Sequence, residues 1–213
     1  MGMGVQDNDD PIYDKNGNLI GDDGKSDGKA YVVKGRVARN VRKATEKGEF
    51  YTGDLELGER GASIPTGKKM SDVVNSVNKS VKSERENGGH SQYGDENMSP
   101  WKEGEYEVTD NGYRASIDQF RSPEGKKYYL KDYSNVEFHY HIHPGDSSMR
   151  GTGMSNPSPS DKSVMNTNIS QHKFKGTTFI IGVRDNKVQF YNGNKSYMKI
   201  SYDVFKKIGG YGQ

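Results

Sequence analysis

The 213-residue chain is predicted to be a mixed α/β protein, a mixed β-sheet flanked by helices with a small β-hairpin ahead of it. Three observations predict this. Segments of helical spacing and segments of strand alternation follow one another in the order helix, strands, helix, strands. Thr177–Val183 is a continuous apolar run of the length of a central strand buried on both faces. Asn16-Gly17, Asn111-Gly112 and Asn192-Gly193 put turn residues between strand candidates.

The first thirty residues are rich in Asp, Gly and Asn. Within them Pro11–Asp14 and Asn18–Ile20 flank Asn16-Gly17, a pair suited to a type I′ turn, and make the expected hairpin. Asp14, Asn16 and Asn18 have the spacing of a calcium loop. Leu19, however, stands where the obligatory glycine belongs, and no bidentate glutamate closes the loop. Lys29–Val37 reads as a strand, and residues 38–65 are mixed and charged without a clear pattern. Met70, Val73, Val74, Val77 and Val81 recur at helical spacing and predict an amphipathic helix over 70–85. Thr66 or Ser71 stands near its start and Gly88-Gly89 is its expected stop. The polar residues 90–103, with Pro100 and Trp101, read as a loop. Strands are expected at Tyr106–Thr109, Tyr113–Phe120, Lys127–Leu130 and Val136–His143. A helix begins at Ser158 and runs to about Ile169. Thr177–Val183 turns through Asp185-Asn186 into Lys187–Tyr191, and Asn192-Gly193 leads on to Tyr197–Ile200. Ser201 or Asp203 caps a last helix through Ile208.

Composition excludes several classes. Net charge is only +2, from 31 basic and 29 acidic residues, and the basic ones are scattered, so no nucleic-acid footprint emerges. With 14 tyrosines, 27 glycines and a mean hydropathy of -1.02, the chain reads as polar and loop-rich, with aromatic cores. No apolar stretch is long enough to span a bilayer, and no signal peptide opens the chain, so export would need a route without a cleaved leader. Cysteine is absent, which excludes disulfides, thiol catalysis and Cys-ligated zinc.

The most informative stretch is Val136-Glu137-Phe138-His139-Tyr140-His141-Ile142-His143-Pro144. Its alternation puts Phe138, Tyr140 and Ile142 on one strand face and His139, His141 and His143 on the other. Pro144 cannot donate a ladder hydrogen bond and is expected to end the strand. Histidines on the wet face of a strand are common without chemistry. Ser158-Pro159-Ser160-Asp161 is equally explained as a helix start, with serine as N-cap, proline first and an acid third. The two readings are compatible, because a capped helix start fixes the Asp161 carboxylate opposite ligands at a strand end.

A third piece, Glu84-Arg85-Glu86-Asn87-Gly88-Gly89, follows the first helix. Glu86 before Gly88-Gly89, then His141-Ile142-His143-Pro144, then Ser158-Pro159-Ser160-Asp161 is an ordered set. With it, residues 65–205 resemble the JAB/JAMM (Mov34/MPN) metallopeptidases. In that pattern a glutamate stands near a glycine pair at the end of the first helix, a strand ends in His-x-His-Pro, and Ser-x-x-Asp opens a helix. The chain departs from it in the long Gly/Ser/Met-rich stretch 144–157 and in the polar run His90-Ser91-Gln92-Tyr93-Gly94, where an apolar strand is usual. Asp10–Asn18 onward to Tyr31-Val32-Val33-Lys34 resembles the junction after the repeat core of Rhs/YD-type polymorphic toxins, which carry JAB-like domains as C-terminal toxin modules. Residues 1–45 are therefore expected to be a linker and hairpin joined to a repeat core, and 65–213 a JAB/JAMM-like metallopeptidase domain.

The resemblance implies Zn2+ held by His141, His143 and Asp161, with a fourth position open for water. It implies Glu86 as general base and Ser158 as oxyanion donor. Glu84 is the alternative base, because it would share the valine face of an uninterrupted helix. His139 is read as an outer residue, since a fourth protein ligand would close the site. The implied activity is that of a peptidase or isopeptidase in a secreted or translocated bacterial effector. The implied partners are a protein or peptide substrate, a ubiquitin-like isopeptide included, and a cognate immunity protein, with no nucleic acid or membrane partner. Two rivals are a metal-dependent nuclease or other hydrolase toxin, and a non-catalytic binding module of the same fold. Residues 144–157, with Met149, Arg150 and Met154 as their large side chains, are expected to form a flap over the cleft.

Overall fold

The computed structural model describes residues 10–55, 59–109, 112–117, 121–126, 133–145 and 153–212. It is a mixed α/β fold, as predicted, with two mixed sheets and four helices among the described residues. The chain divides into two units, residues 1–67 with 203–213, and residues 68–202.

The first unit opens on β1 (Pro11–Asp14) and β2 (Leu19–Asp22), the expected antiparallel hairpin. Gly17 takes φ +77 in its turn, a conformation that glycine adopts without strain. The Asp14 carboxylate accepts the Asn16 and Asn18 backbone N–H groups and pairs with the Arg42 guanidinium at 2.7 Å. β3 (Ala30–Val33) runs parallel to β1. The strand expected over Lys29–Val37 thus stops at Val33, because Gly35, at φ +60, turns the chain into α1 (Gly35–Glu46). β4 (Gly61–Ile64) completes the order β2-β1-β3-β4. Residues 38–65, which the sequence left unplaced, therefore hold most of α1 and all of β4. Only Val37, Ala38 and Val41 of α1 are buried, a stripe too short to stand out among its charges. The last helix, Tyr202–Ile208, groups with this unit from Asp203 onward.

In the second unit α2 (Gly67–Ser83) buries Met70, Val73, Val74, Val77 and Ser80, while Val81 faces solvent. It ends earlier than expected, at a left-handed Glu84 (φ 56), and Gly88-Gly89 does not stop it. Those glycines lie inside β5 (Asn87–Gln92), so the loop predicted over 90–103 is corrected: its first residues are strand, and β6 (Ser99–Pro100) follows. Neighbours pack into the space left by the two glycines of this polar strand. A Cβ on Gly88 would lie 2.5 Å from the Tyr140 carbonyl oxygen and 2.8 Å from the Trp101 ring. Trp101 Nε1–H donates to His90 Nδ1 at 2.9 Å, which satisfies both buried groups.

β7 (Glu105–Thr109) and β8 (Gly112–Ser116) form a separate hairpin. The strand expected at Lys127–Leu130 lies outside the described residues, as do Met149 and Arg150 of the expected flap. β9 (Val136–His143) joins β5 antiparallel and β10 (Thr177–Gly182) parallel, and α3 (Pro159–His172) makes the crossover between β9 and β10. β11 (Lys187–Asn192) and β12 (Lys195–Ser201) close the six-stranded order β12-β11-β10-β9-β5-β6. The predicted alternation of β9 holds from Phe138 to His143. At Glu137 a register shift interrupts it, and Val136 joins Met165, Phe174, Ile180 and Tyr191 in one cluster. Tyr140 stacks on Phe179 at 5.4 Å and meets Ser76 of α2 through its hydroxyl at 2.9 Å. α4 (Tyr202–Ile208) follows β12 directly. No helix among the described residues is long and apolar enough to cross a membrane.

Candidate metal centre

β9 and α3 bring the site together. His141 and His143 are two residues apart at the C-terminal end of β9, so they point to the same side of the sheet. Ligand sites in parallel α/β units form at that end of the strands, where the crossover helix begins. The first turn of α3 is fixed by a reciprocal cap: Ser158 Oγ accepts from the Asp161 N–H at 3.2 Å, and Asp161 Oδ2 accepts from the Ser158 N–H at 2.7 Å. Asp161, Met165 and Asn168 are its buried residues, a stripe at helical spacing. The aspartate therefore sits on the buried face with its carboxylate already oriented.

Three ligand residues converge, with one ligand atom from each within 4.8 Å of the others. His141 Nε2 is 3.1 Å from His143 Nε2 and 3.2 Å from Asp161 Oδ1, and His143 Nε2 is 3.6 Å from the other carboxylate oxygen, Oδ2. A tetrahedral ion bonded at about 2.0–2.1 Å spaces its ligand atoms about 3.3 Å apart, close to each of these separations. His143 Nδ1 meets the Met154 carbonyl oxygen at 2.7 Å. A carbonyl only accepts, so Nδ1 carries the hydrogen and, in the neutral ring, Nε2 presents its lone pair to the site. His141 Nδ1 is buried without a hydrogen-bond partner among the described residues, so all polar contacts of that ring go through Nε2. Among the described residues His141, His143 and Asp161 form the one group arranged to hold a metal ion.

Electrostatics favour a cation at the same point. Burial pushes the Asp161 carboxyl up, but the two imidazoles outweigh it and hold the group far below the usual carboxylate range. Burial opposes a charge on His143, yet the Asp161 and Glu86 carboxylates raise its pKa above the ordinary value. Glu86 stands just ahead of β5 with its Oε1 3.9 Å from His143 Nε2. Burial pushes its carboxyl up, against the opposing pull of both imidazoles. Glu84 is exposed beyond the helix end. The group beside the histidines is thus Glu86, brought there by the turn after α2 and not by a helix face.

Ser158 Oγ is occupied as an acceptor in the cap, which leaves its hydroxyl hydrogen to donate elsewhere. His139 is fully buried against Trp101, with ring centroids 4.8 Å apart, and burial drives its imidazole well below the ordinary pKa. The Met154 carbonyl was not legible as part of the site, since any residue type supplies a backbone oxygen. The nearby Gly153 was the one available hint. No protein-family model matches the chain, and neither does any curated protein or solved structure.

Proposed function

We propose that the chain is a zinc-dependent peptidase or isopeptidase of JAB/JAMM type, working as the toxin module of a secreted or translocated bacterial effector. The observation that carries this reading is the meeting of His141, His143 and Asp161 at one point with Glu86 beside them. Two imidazoles and one carboxylate are a borderline-soft ligand set that suits zinc, whereas magnesium and calcium prefer oxygen ligands throughout. A zinc ion held there supplies a Lewis acid that eases deprotonation of water and polarises an amide carbonyl.

The protein's own groups do the rest. Glu86, desolvated and with a raised pKa, takes a proton at its carboxylate and returns it to the departing amine. The Ser158 hydroxyl donates to the oxygen that becomes negative as the carbonyl is attacked. The Met154 carbonyl holds His143 in the tautomer that presents Nε2. The resemblance of residues 65–205 and of the N-terminal junction supports a protein or peptide substrate, ubiquitin-like isopeptides included, and a cognate immunity protein as partner. Elemental analysis is expected to find one zinc per chain, and the loaded protein is expected to release new amino termini or lysine amines from protein substrates. A loaded protein inert towards a panel of peptide and isopeptide bonds would overturn the catalytic reading.

A further inference from the structure

Residues 153–156, just ahead of α3, are held by the turn between β10 and β11 and by β12. Gly145 follows the His143-Pro144 strand end, and Gly153 returns beside it; a Cβ on Gly153 would lie 2.4 Å from the Gly145 Cα. The Arg184 N–H then donates to the Gly153 carbonyl at 2.9 Å. Next comes Met154, whose carbonyl takes the His143 Nδ1–H, and then Ser155, which is fully buried. Both oxygens of Asp185, in the turn between β10 and β11, go to Ser155: Oδ1 accepts its N–H at 3.2 Å and Oδ2 its hydroxyl at 2.8 Å. Lys199 of β12 stands 3.7 Å from Asp185 Oδ2 and donates to Asn156 Oδ1 at 2.9 Å. Gly182 makes room for all of this, because a Cβ there would lie 2.2 Å from both Asp185 Oδ1 and the Ser155 nitrogen.

We infer that Asp185 is a positioning residue for the metal centre, holding the Met154 carbonyl against His143 through Ser155 and so aiming the His143 Nε2 lone pair. The inference rests on the reading of His141, His143 and Asp161 as ligands. Its physical basis is that a ligating histidine keeps its tautomer and ring orientation through the acceptor on its other nitrogen. Here that acceptor is the backbone carbonyl of Met154, and residues 153–157 around it belong to no strand or helix that would hold it. A carboxylate that binds the next residue at two points supplies the missing rigidity. It also explains why a buried serine follows Met154 and why Asp185 spends its oxygens on a segment thirty residues away instead of on its own turn.

The test is metal binding by the full chain, read with zinc in competition with a chromophoric chelator and with cobalt(II) through its d–d absorption bands. Asp185→Ala and Ser155→Ala are expected to weaken zinc binding about 10- to 100-fold, the usual effect of losing an outer partner of a ligand. They should also alter the cobalt spectrum, while circular dichroism shows the metal-free protein still folded. A folded Asp185→Ala protein with unchanged affinity and an unchanged cobalt spectrum would overturn the inference, even if its melting temperature fell. If Asp185→Ala does not fold, Ser155→Ala, which removes a single hydroxyl, decides on the same two readouts. Should the wild-type chain bind no cobalt, or the His141→Ala/His143→Ala double variant bind it normally, the ligand assignment itself falls and the inference with it.

Discussion

The Asp161 carboxylate is committed on two sides, to its own helix cap and to the histidines. Oδ2 accepts the Ser158 N–H and lies 3.6 Å from His143 Nε2, while Oδ1 faces His141 Nε2 at 3.2 Å. The capping reading and the ligand reading of Ser158–Asp161 therefore describe one geometry. Glu86 differs, because it touches the site without sharing in the cap. Glu86→Gln is thus expected to retain zinc but to lose amide hydrolysis by about 10²–10⁴-fold, the range for a missing acid–base group. Asp161→Asn should lose zinc as well as activity. Glu84→Gln, at an exposed position, should resemble wild type in both. Parallel zinc and activity measurements check all three, and an active Glu86→Gln protein would remove Glu86 from the mechanism.

At the scale of the element, β5 carries the clearest lesson. Asn-Gly-Gly-His-Ser-Gln has little strand propensity, yet it lies beside β9 with its glycines against Tyr140 and Trp101. Gly88→Ala would drive a Cβ into the Tyr140 carbonyl and the indole ring, and overpacking of this kind costs about 1–3 kcal/mol. A melting temperature equal to wild type would contradict that packing. His90 adds a pH dependence. Burial pushes its imidazole down to about 4, against the pull of Asp95, and its Nδ1 must stay unprotonated to accept from Trp101. The unfolded chain then binds the proton more readily than the folded one, so stability is full above about pH 6.5 and falls as pH drops towards about 4, by at most about 3 kcal/mol. In metal-free protein, His90→Gln should flatten that slope relative to wild type. Identical slopes in urea titrations across this window would refute it.

For the whole molecule, the metal is expected to act as a folding ligand. With free zinc at a hundred times its dissociation constant, the native state gains about 2.7 kcal/mol, and chelation should lower the melting temperature by about 5–10 °C. The size of this effect depends on pH. His143 has a raised pKa in the metal-free protein, so its protonated form stabilises that state below the unfolded value, a contribution lost as pH rises through the folded one. Zinc competes for the same lone pair. The gap between loaded and metal-free melting temperatures should therefore shrink from about pH 8 to about pH 5.5, and a constant gap would show that His143 does not bind the ion.

Residue types and their local spacing were enough to determine the mixed α/β class, the α2 stripe from Met70 to Val77, the common face of His139, His141 and His143, and the cap that carries Asp161. All of these are short-range properties, set by the repeat of a strand or helix and by a side chain bonding its own first turn. Tertiary structure alone decided that β5 is a strand and that Met154 holds His143, and it put beside His143 the Glu86 that the family resemblance had preferred to Glu84. The reason is the same each time. A polar strand, a carboxylate in a turn and a backbone carbonyl take their place from partners far away in the chain, and no local period records those partners.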